Sequence, residues 1–400
     1  METTFEEKLA GLKKTQNEVS PEKVKGLIDA NDPITLIDVR ESDEFRNGHL
    51  PGAIHVPRGF LEMRIEEAIT DKNAPLIVYC AGGVRSLFAT ETLKNMGYLS
   101  VVSMSGGFNG WAQKGLPTKK PATLSESDRR RYSRHLLIPE VGEAGQIKLQ
   151  KSSVILIGAG GLGSPAAYYL AAAGVGTLGL VDFDVVDESN LQRQILHSTD
   201  RVGTSKIKSA MQTLSAFNPT IKLVPFEERV DSSNIERVIK DFDIVVDGSD
   251  NFPTRYLVND ACVKLKKPCV HGSVYRFDGQ VTIFAPERGG PCYRCLYKEP
   301  PPPELAPSCA DAGVLGVLPG IIGLLEAIET VKLILEIGSP LIGRVIAYDA
   351  LEGTFRTFKL RKDPTCDYCR EGASFPGYID YDYFCAQSVT PSAGLPTNHR

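Results

Sequence analysis

The first 120 residues alternate short apolar runs with amphipathic segments. The runs ITLIDV (34–39), PLIVYC (75–80) and VVSMSG (101–106) have the length and composition of buried strands. Helical patterns separate them, and Ser20-Pro21 offers an N-cap followed by proline at the first helical position. Buried strands that alternate with helices predict a parallel α/β sheet, with its functional loops at the carboxyl ends of the strands.

A second region of the same character surrounds a glycine-rich loop. Residues 152–184, SSVILIGAGGLGSPAAYYLAAAGVGTLGLVDFD, predict strand, loop, helix and strand, the βαβ unit of mononucleotide-binding folds. Further strands are predicted in DIVVDGSDN (243–251), VTIFAP (281–286) and GRVIAYDA (343–350), with an apolar helix over 316–337. The apolar run in that helix falls short of the roughly 20 residues that a spanning helix needs, so we predict a buried helix.

The chain is long enough for more than one domain, since 400 residues exceed a single ordinary core. The patterns predict a leader over 1–18, an α/β domain over 19–118, a polar linker over 119–127, a second α/β domain over 128–372, and a tail of unknown role over 373–400.

Charge and cysteine content narrow the function classes. A net charge of −4 with 24% charged residues gives no support to a nucleic-acid or membrane-surface role, because both favour a basic face. The N-terminus lacks the apolar core of a secretory signal. Nine cysteines without such a signal are typical of reduced thiols that serve as metal ligands or nucleophiles. We therefore expect a cytoplasmic protein that binds neither nucleic acid nor a membrane.

The loop CAGGVRS, residues 80–86, places a cysteine where a predicted strand ends and a helix begins. Backbone amides of such a turn, with the positive end of the helix dipole, stabilise an anion on sulfur. Gly82 and Gly83 let the backbone curl around that sulfur, and Arg85 adds positive charge. The loop predicts a site for a thiolate or persulfide at Cys80. For an isolated loop, a buried structural cysteine is the alternative.

Residues 36–57, LIDVRESDEFRNGHLPGAIHVP, with the cysteine loop and SGGFNGW (105–111), closely resemble the rhodanese family of sulfurtransferases. The resemblance covers roughly residues 19–118 and implies that Cys80 carries a persulfide. Protein-tyrosine phosphatases use a similar loop with five residues between Cys and Arg, whereas this loop has four, which favours sulfur as cargo. Asp38 and Arg40 match the family's strand-end pair, which we interpret as structural support.

The glycine loop GAGGLG (158–163) follows a predicted strand and opens a helix. Gly160 and Gly161 allow phosphate to approach amides at the helix N-terminus, and Asp182 ends the next strand, where a carboxylate accepts ribose hydroxyls. Alone, this fingerprint fits a dinucleotide as well as ATP. An NAD-dependent oxidoreductase therefore stays an alternative.

Polar residues downstream favour a triphosphate. Asn190, Arg193 and Lys206 supply amide and cationic groups shortly after the second strand of the βαβ unit. Asp250, followed by Asn251, ends a later strand, a natural position for a carboxylate that holds Mg²⁺ on phosphate oxygens. A solvated surface cluster is the alternative for any one of them.

Two C-x₂-C pairs lie in the second half of the chain. Cys292 and Cys295 form the first pair, and Cys366 and Cys369 form the second. Four thiolates in two such pairs suit tetrahedral Zn²⁺ with no position left for water, which predicts a structural site. Iron or two separate sites stay open on spacing alone.

The strings RYSRH, GAGGLG, DFDVVDESNLQRQ, GTSK, DGSDN, GQVTIF, PCYRC and CDYC together resemble the MoeB/ThiF family, relatives of ubiquitin-activating enzymes, over roughly residues 128–370. The resemblance implies an ATP site and a homodimer in which Arg134 acts on the partner's ATP. Cys309, after the proline-rich KEPPPPELAPS, matches a cysteine that can hold the acyl group or resolve an acyl disulfide; a bystander is the alternative. The residues that the family assigns to ATP and Mg²⁺ are Gly160, Gly161, Asp182, Asn190, Arg193, Lys206 and Asp250.

Together the resemblances imply a fused enzyme. It would adenylate the C-terminal glycine of a small ubiquitin-like sulfur carrier ending in Gly-Gly, and sulfur from Cys80 would then give a thiocarboxylate, with a cysteine desulfurase as the expected donor. In the best-known fused members the rhodanese domain follows the adenylating domain, whereas here it precedes it.

Molybdopterin, thiamine and cysteine synthesis and tRNA thiolation all use similar carriers. Alternatives are adenylation alone, with the rhodanese domain serving another acceptor, and a binding scaffold with vestigial loops.

Overall fold

The protein consists of two compact units, Met1–Thr123 and Leu124–Arg400, in a computed structural model that describes residues 4–120, 123–301 and 313–387. Each unit has an α/β fold, so the predicted fold class is confirmed. Among the described residues, no helix combines the length and the apolar character needed to cross a bilayer.

The first unit is a five-stranded sheet in which every pairing is parallel. Its strands are β1 (Glu18–Val19), β2 (Thr35–Asp38), β3 (Ile54–His55), β4 (Leu76–Tyr79) and β5 (Val101–Met104), and their order is β1-β5-β4-β2-β3. Its helices are α1 (Phe5–Thr15), α2 (Pro21–Asp29), α3 (Ser42–Arg46), α4 (Leu61–Ala68), α5 (Val84–Asn95) and α6 (Gly107–Gln113). The Ser20 hydroxyl accepts a hydrogen bond from the Lys23 amide, which confirms the predicted cap of α2.

The predicted leader contributes to this unit. Helix α1 packs along α5, with the Phe5 and Phe88 rings stacked 5.8 Å apart and Lys8 paired with Glu91 at 2.9 Å. Strand β1 extends the sheet beside β5. In the predicted linker, Lys119 exchanges backbone hydrogen bonds with His49.

The second unit is built on an eight-stranded mixed sheet. Its strands are β6 (Ser153–Ile157), β7 (Thr177–Val181), β8 (Lys222–Phe226), β9 (Ile244–Asp247), β10 (Cys269–Tyr275), β11 (Asp278–Phe284), β12 (Arg344–Asp349) and β13 (Thr354–Lys359), in the order β13-β12-β11-β10-β9-β6-β7-β8. The pairings from β8 to β10 are parallel and those from β10 to β13 are antiparallel.

Helices cover the second sheet and include the apolar helix that the sequence predicts. They are α7 (Glu126–Arg131), α8 (Ser133–Leu136), α9 (Gly142–Lys151), α10 (Gly163–Ala173), α11 (Lys206–Phe217), α12 (Ile235–Ile239), α13 (Phe252–Leu265), α14 (Tyr293–Leu296), α15 (Val317–Leu335) and α16 (Tyr381–Gln387). Helix α15 packs on α10 and across β10 and β11. Strand β6 lies between β7 and β9. The chain continues from β6 to β7 and β8 on one side and later returns to β9 on the other side, so the strand order reverses at β6. Such a switch point opens a cleft at the carboxyl ends of the strands.

Candidate active sites and metal centre

Cys80 lies directly after β4, at the start of the loop that leads into α5. Gly83 adopts a left-handed backbone conformation (φ 95°), which turns its N–H toward the sulfur, and this amide donates to Cys80 Sγ at 3.1 Å. The Ser86 hydroxyl lies 3.6 Å from the same sulfur. An amide at a helix N-terminus stabilises anionic sulfur, as the sequence predicts. The cysteine is only 1% exposed, so its thiol is sealed within the loop.

The segment SGGFNGW holds the cysteine loop from behind. The amides of Phe108 and Asn109 donate to the carbonyls of Cys80 and Ala81 at 2.7 and 2.9 Å. Gly107 has φ 54°, and a Cβ there would lie 2.3 Å from the Cys80 carbonyl oxygen. Only glycine fits this close approach. The neighbouring segment therefore supplies hydrogen-bond donors to the carbonyls of Cys80 and Ala81.

Arg85 is held by Glu44, a residue that the sequence analysis did not single out. Its two terminal nitrogens donate to the two carboxylate oxygens of Glu44, each at 2.8 Å. This hydrogen-bonded guanidinium lowers the pKa of Glu44 to about 2. Glu44 lies far from the loop in the chain, so no local spacing reveals the pair.

Asp38 and Arg40 form the support predicted at the end of β2. Both are buried, and the Arg40 guanidinium donates to the Asp38 carboxylate at 2.6 to 3.1 Å and to the Gly48 carbonyl at 2.6 Å. Arg40 also lies over the Phe108 ring, 4.1 Å from its centroid. The pair thus fixes β2 to the segment behind the cysteine loop.

In the second unit a cleft opens at the switch point beside β6. Gly160 and Gly161 line it. The backbone there is close-packed, because a Cβ on Gly163 would lie 1.9 Å from the Gly158 carbonyl oxygen. The close packing brings α10 directly onto the end of β6, so that its N-terminus faces the cleft. This is the arrangement that the glycine spacing predicts.

Asp182 and Lys206 follow β7 on one side of the glycine loop. The Asp182 carboxylate accepts from the amides of Ala159 and Asp184, both at 2.9 Å, so it braces the loop while lining the cleft. Lys206 is 6% exposed, and its ammonium pairs with Asp184 at 2.8 Å. The cation is thereby fixed at the cleft wall.

The other predicted phosphate contacts differ in position. Arg193 lines the cleft and packs against Gly161, with its guanidinium donating to the Ser189 carbonyl at 3.1 Å. Asn190 ends a short 3₁₀ turn, and its carbonyl accepts from the amides of Arg193 and Gln194, but its side chain is not part of the cleft wall. Arg134 is exposed on α8, also outside that wall.

Asp250 and Asn251 line the cleft on the opposite side, after β9. Asn251 caps α13, since its side-chain oxygen accepts from the Thr254 amide at 3.0 Å. Its side-chain nitrogen donates to the Asp250 carboxylate at 3.3 Å. Asp250 is exposed, and its oxygen ligands suit Mg²⁺ on a bound phosphate. Asn251 therefore has a structural role in addition to the predicted binding role.

Several polar residues in or behind the cleft have no motif of their own in the sequence. Ser249 and Arg255 follow β9 and line the cleft beside Asp250. Deeper in the unit, buried His271 lies 2.8 Å from the buried Asp247 carboxylate. Glu326 of α15 is fully buried against Gly272, where a Cβ would lie 2.6 Å from its carboxyl carbon. Of these residues, only Ser249 has a position in the sequence, at the end of a predicted strand, that indicates a place in the cleft.

The four predicted metal ligands meet in one place. The sulfurs of Cys292, Cys295, Cys366 and Cys369 all lie within 4.8 Å of one another, at 3.3 to 3.8 Å for the contacting pairs. Zn–S bonds of about 2.3 Å in a tetrahedron place sulfurs about 3.8 Å apart. The cluster therefore fits one structural zinc ion.

The tail, for which we predicted no specific role, is described over residues 373–387, and this part packs beside the metal centre. Arg294, between the first two cysteines, donates twice to the buried Asp260 carboxylate, each at 2.8 Å. The Tyr381 hydroxyl donates to the same carboxylate at 2.7 Å, and the Tyr368 ring lies against the guanidinium. Tyr381 thus ties α16 to the first cysteine pair.

The remaining cysteines divide into two groups. Cys262, Cys269 and Cys385 pack into the core around α13, and the sequence, which gives them no motif, indicates packing residues. Cys309 lies outside the described residues.

A cysteine loop whose Gly83 amide donates to the sulfur, a mononucleotide cleft and a Cys₄ centre define a nucleotide-binding α/β protein with a sulfur-handling domain. The chain belongs to the ThiF family, whose model matches residues 132–368, and a rhodanese-like domain matches residues 20–114.

Known proteins resemble the larger part of the chain. It is 48% identical over 267 residues to a sulfur carrier protein adenylyltransferase of Thermus thermophilus, covering 66% of this chain and 98% of that protein. It is 50% identical over 273 residues to a probable adenylyltransferase/sulfurtransferase MoeZ of Mycobacterium tuberculosis, covering 67% and 68%. A crystal structure of E. coli MccB with succinimide has the same fold (TM-score 0.55, 24% identity, covering 62% of this chain and 75% of that one).

Proposed function

We propose that this chain adenylates the C-terminal glycine of a small ubiquitin-like sulfur carrier and then converts it to a thiocarboxylate with sulfur from Cys80. The family and the relatives make the chain an adenylyltransferase with a sulfurtransferase domain. The observation that carries the proposal is the cleft itself, where glycine-loop amides, a bracing carboxylate and two cations surround the place for a nucleotide.

The first step joins the carrier to AMP. A carboxylate oxygen of the carrier forms a bond to the α-phosphorus of ATP, and the bond from that phosphorus to pyrophosphate breaks. Lys206 and Arg193 neutralise the charge that grows on the departing pyrophosphate. Asp250 is the residue that would hold Mg²⁺, which supplies further neutralisation on the phosphate oxygens.

The second step delivers sulfur. The terminal sulfur of a Cys80 persulfide bonds to the acyl carbon and AMP leaves, which gives an acyl disulfide. A thiolate at Cys309 then attacks the Cys80 sulfur. The thiocarboxylate leaves, a Cys80–Cys309 disulfide remains, and an external thiol reduces it. A cysteine desulfurase would supply the persulfide.

The proposal has three further elements, which the family resemblance and the sequence suggest. Arg134 is exposed on α8, as expected for a residue that reaches the nucleotide of a second copy, so we propose a homodimer. We place the enzyme in the cytoplasm and, among the carrier-dependent pathways, in molybdenum cofactor biosynthesis.

A second candidate is adenylation alone, with the rhodanese domain serving another acceptor. The burial of Cys80 favours it, since a persulfide there must reach its acceptor from a sealed loop. The outer sulfur of a persulfide, however, extends about 2 Å beyond Sγ, which shortens that distance.

The test is ATP–pyrophosphate exchange with a panel of recombinant Gly-Gly-terminated carriers. The proposal requires exchange that depends on one carrier, and that carrier identifies the pathway. Tight NAD binding without pyrophosphate exchange on any carrier would instead establish an oxidoreductase. The Lys206→Gln variant should lose the exchange activity and retain thiosulfate sulfurtransferase activity.

A further inference from the structure

We propose that Ser249 and Arg255 form a carboxylate-binding subsite in the adenylation cleft, which holds the C-terminal carboxylate of the carrier for attack on ATP. This inference rests on the proposed function and assigns two residues on the β9 side of the cleft to the second substrate.

The sheet order places cationic groups on both sides of the glycine loop. Strand β6 lies between β7 and β9. Arg193 and Lys206 follow β7, on the same side as the ribose-binding position Asp182, whereas Arg255 follows β9 in the first turns of α13. All of these residues line one cleft. A cleft with cations on opposite sides suits a reaction that brings two anions together.

Arg255 is fixed in place and makes no direct ion pair with any described residue, although its charge lowers the pKa of nearby Asp247. Its guanidinium donates to the Ser249 carbonyl at 3.2 Å and lies 5.3 Å from the centroid of the Phe252 ring. Among the described residues Arg255 forms no ion pair, and its buried Nε has no hydrogen-bond partner. Lys206, by contrast, pairs with Asp184. A buried donor left unpaired is unfavourable, and a bound anion would satisfy it.

Ser249 adds a hydroxyl to the same wall. The residue is 7% exposed, and its hydroxyl lies near the Asp247 carboxylate but makes no well-aligned hydrogen bond with any described residue. The Asp247 carboxylate is engaged by the Ser249 amide at 3.1 Å and by His271 at 2.8 Å. The Ser249 hydroxyl and the Arg255 guanidinium thus place two donors on this wall from which a bound carboxylate can accept.

The geometry of phosphoryl transfer favours a carboxylate as the ligand. Attacking and leaving oxygens lie roughly in line through the phosphorus. If Arg193 and Lys206 receive the leaving pyrophosphate on the β7 side, the attacking carboxylate enters from the β9 side. The planar fork of an arginine matches a carboxylate with two parallel hydrogen bonds.

The experiment compares two affinities in the full-length protein. In Arg255→Gln and Ser249→Ala we expect the KM for the carrier in ATP–pyrophosphate exchange to rise, by about 10- to 100-fold and about threefold respectively, because hydrogen bonds to charged groups are lost. The Kd for MgATP without carrier should stay within about twofold of the wild type. Arg255→Lys, which keeps the charge but loses the fork, should recover part of the carrier affinity.

Lys264→Gln is the matched control, since it removes a cation from the same helix at an exposed pair with Glu236. A loss of MgATP affinity equal to the rise in carrier KM would assign Arg255 to the nucleotide and overturn the inference. An unchanged carrier KM in both variants would also overturn it. If wild-type protein shows no carrier-dependent exchange at all, the proposed function itself fails.

Discussion

Glu44 accepts hydrogen bonds from both terminal nitrogens of Arg85 at 2.8 Å and so neutralises the cation at the rim of the cysteine loop. The sequence suggested that Arg85 adds positive charge for the sulfur. The structure shows instead a charge already paired, with the Gly83 amide as the nearest donor to Sγ. The nearest donor to the Cys80 sulfur is therefore the backbone of the loop and not the Arg85 charge.

Glu44→Gln should destabilise the first unit in a pH-dependent manner. The Arg85 hydrogen bonds lower the pKa of Glu44 from 4.5 to about 2, so its stabilising contribution is present above pH 4.5 and is lost as the pH falls toward 2. We expect a loss of about 1 kcal/mol at pH 7, because the pair is partly exposed, and little difference near pH 2. Denaturant unfolding at both pH values measures it. An equal loss at both would contradict the assignment, and Glu62→Gln, at the exposed pair with Arg58, is the control.

Glu326→Gln should stabilise the second unit at high pH. Burial, reinforced by nearby Asp247, raises the pKa of Glu326 well above its usual value. Because the pKa is raised in the folded protein, the wild type loses folding stability as the pH rises above 4.5. Above that pH the unfolded chain ionises Glu326 freely, whereas the folded protein must keep the carboxyl neutral or bury its charge. The advantage of the variant over the wild type should therefore be larger at pH 9 than at pH 6. Chemical unfolding of both proteins tests this, and a pH-independent difference would refute it.

Removal of the metal should detach the elements around the Cys₄ centre without affecting the first unit. Structural zinc sites contribute folding free energy directly. A Cys369→Ser protein should lose its one bound zinc, measured by elemental analysis, and should unfold at lower temperature. Its thiosulfate sulfurtransferase activity, which we assign to Cys80, should persist. A metal-free wild type with unchanged thermal stability would show that the four thiols need no metal.

Tyr381→Phe tests whether the tail belongs to the fold. The variant removes a buried hydroxyl from the Asp260 carboxylate, which should cost about 1–3 kcal/mol of unfolding free energy. Asp382→Asn is the matched control on the same helix, because its pair with Arg229 is exposed and should contribute about 0–1 kcal/mol. Equal effects in denaturant unfolding would mean that α16 adds no buried contact.

The sequence predicts those features that depend on local pattern. Strand runs, the glycine loop and C-x₂-C spacing each reflect short-range geometry, so Cys80, Gly160 and the four metal ligands lie where expected. Contacts between distant segments have no such signature. The bond from Glu44 to Arg85 and the placement of Glu326 against Gly272 depend on how whole elements pack.

The sequence also does not predict how deeply a loop side chain is buried. Cys80 lies at a strand end and precedes two glycines, and nothing in that local pattern shows that its side chain is only 1% exposed or that the Phe108 and Asn109 amides hold the loop carbonyls. Asn251 illustrates a related ambiguity, because an amide before a helix is both an N-cap and a cleft residue.

The most direct test of the sulfur relay is the intact mass of the carrier after incubation with ATP, Mg²⁺, cysteine and a cysteine desulfurase. With the wild type, and with Cys385→Ser as a control, we expect a mass increase that corresponds to replacement of one oxygen by sulfur. Cys80→Ser should retain carrier-dependent ATP–pyrophosphate exchange but leave the carrier mass unchanged. Thiocarboxylate formation by Cys80→Ser at the wild-type rate would contradict the relay and leave a carrier-activating enzyme alone.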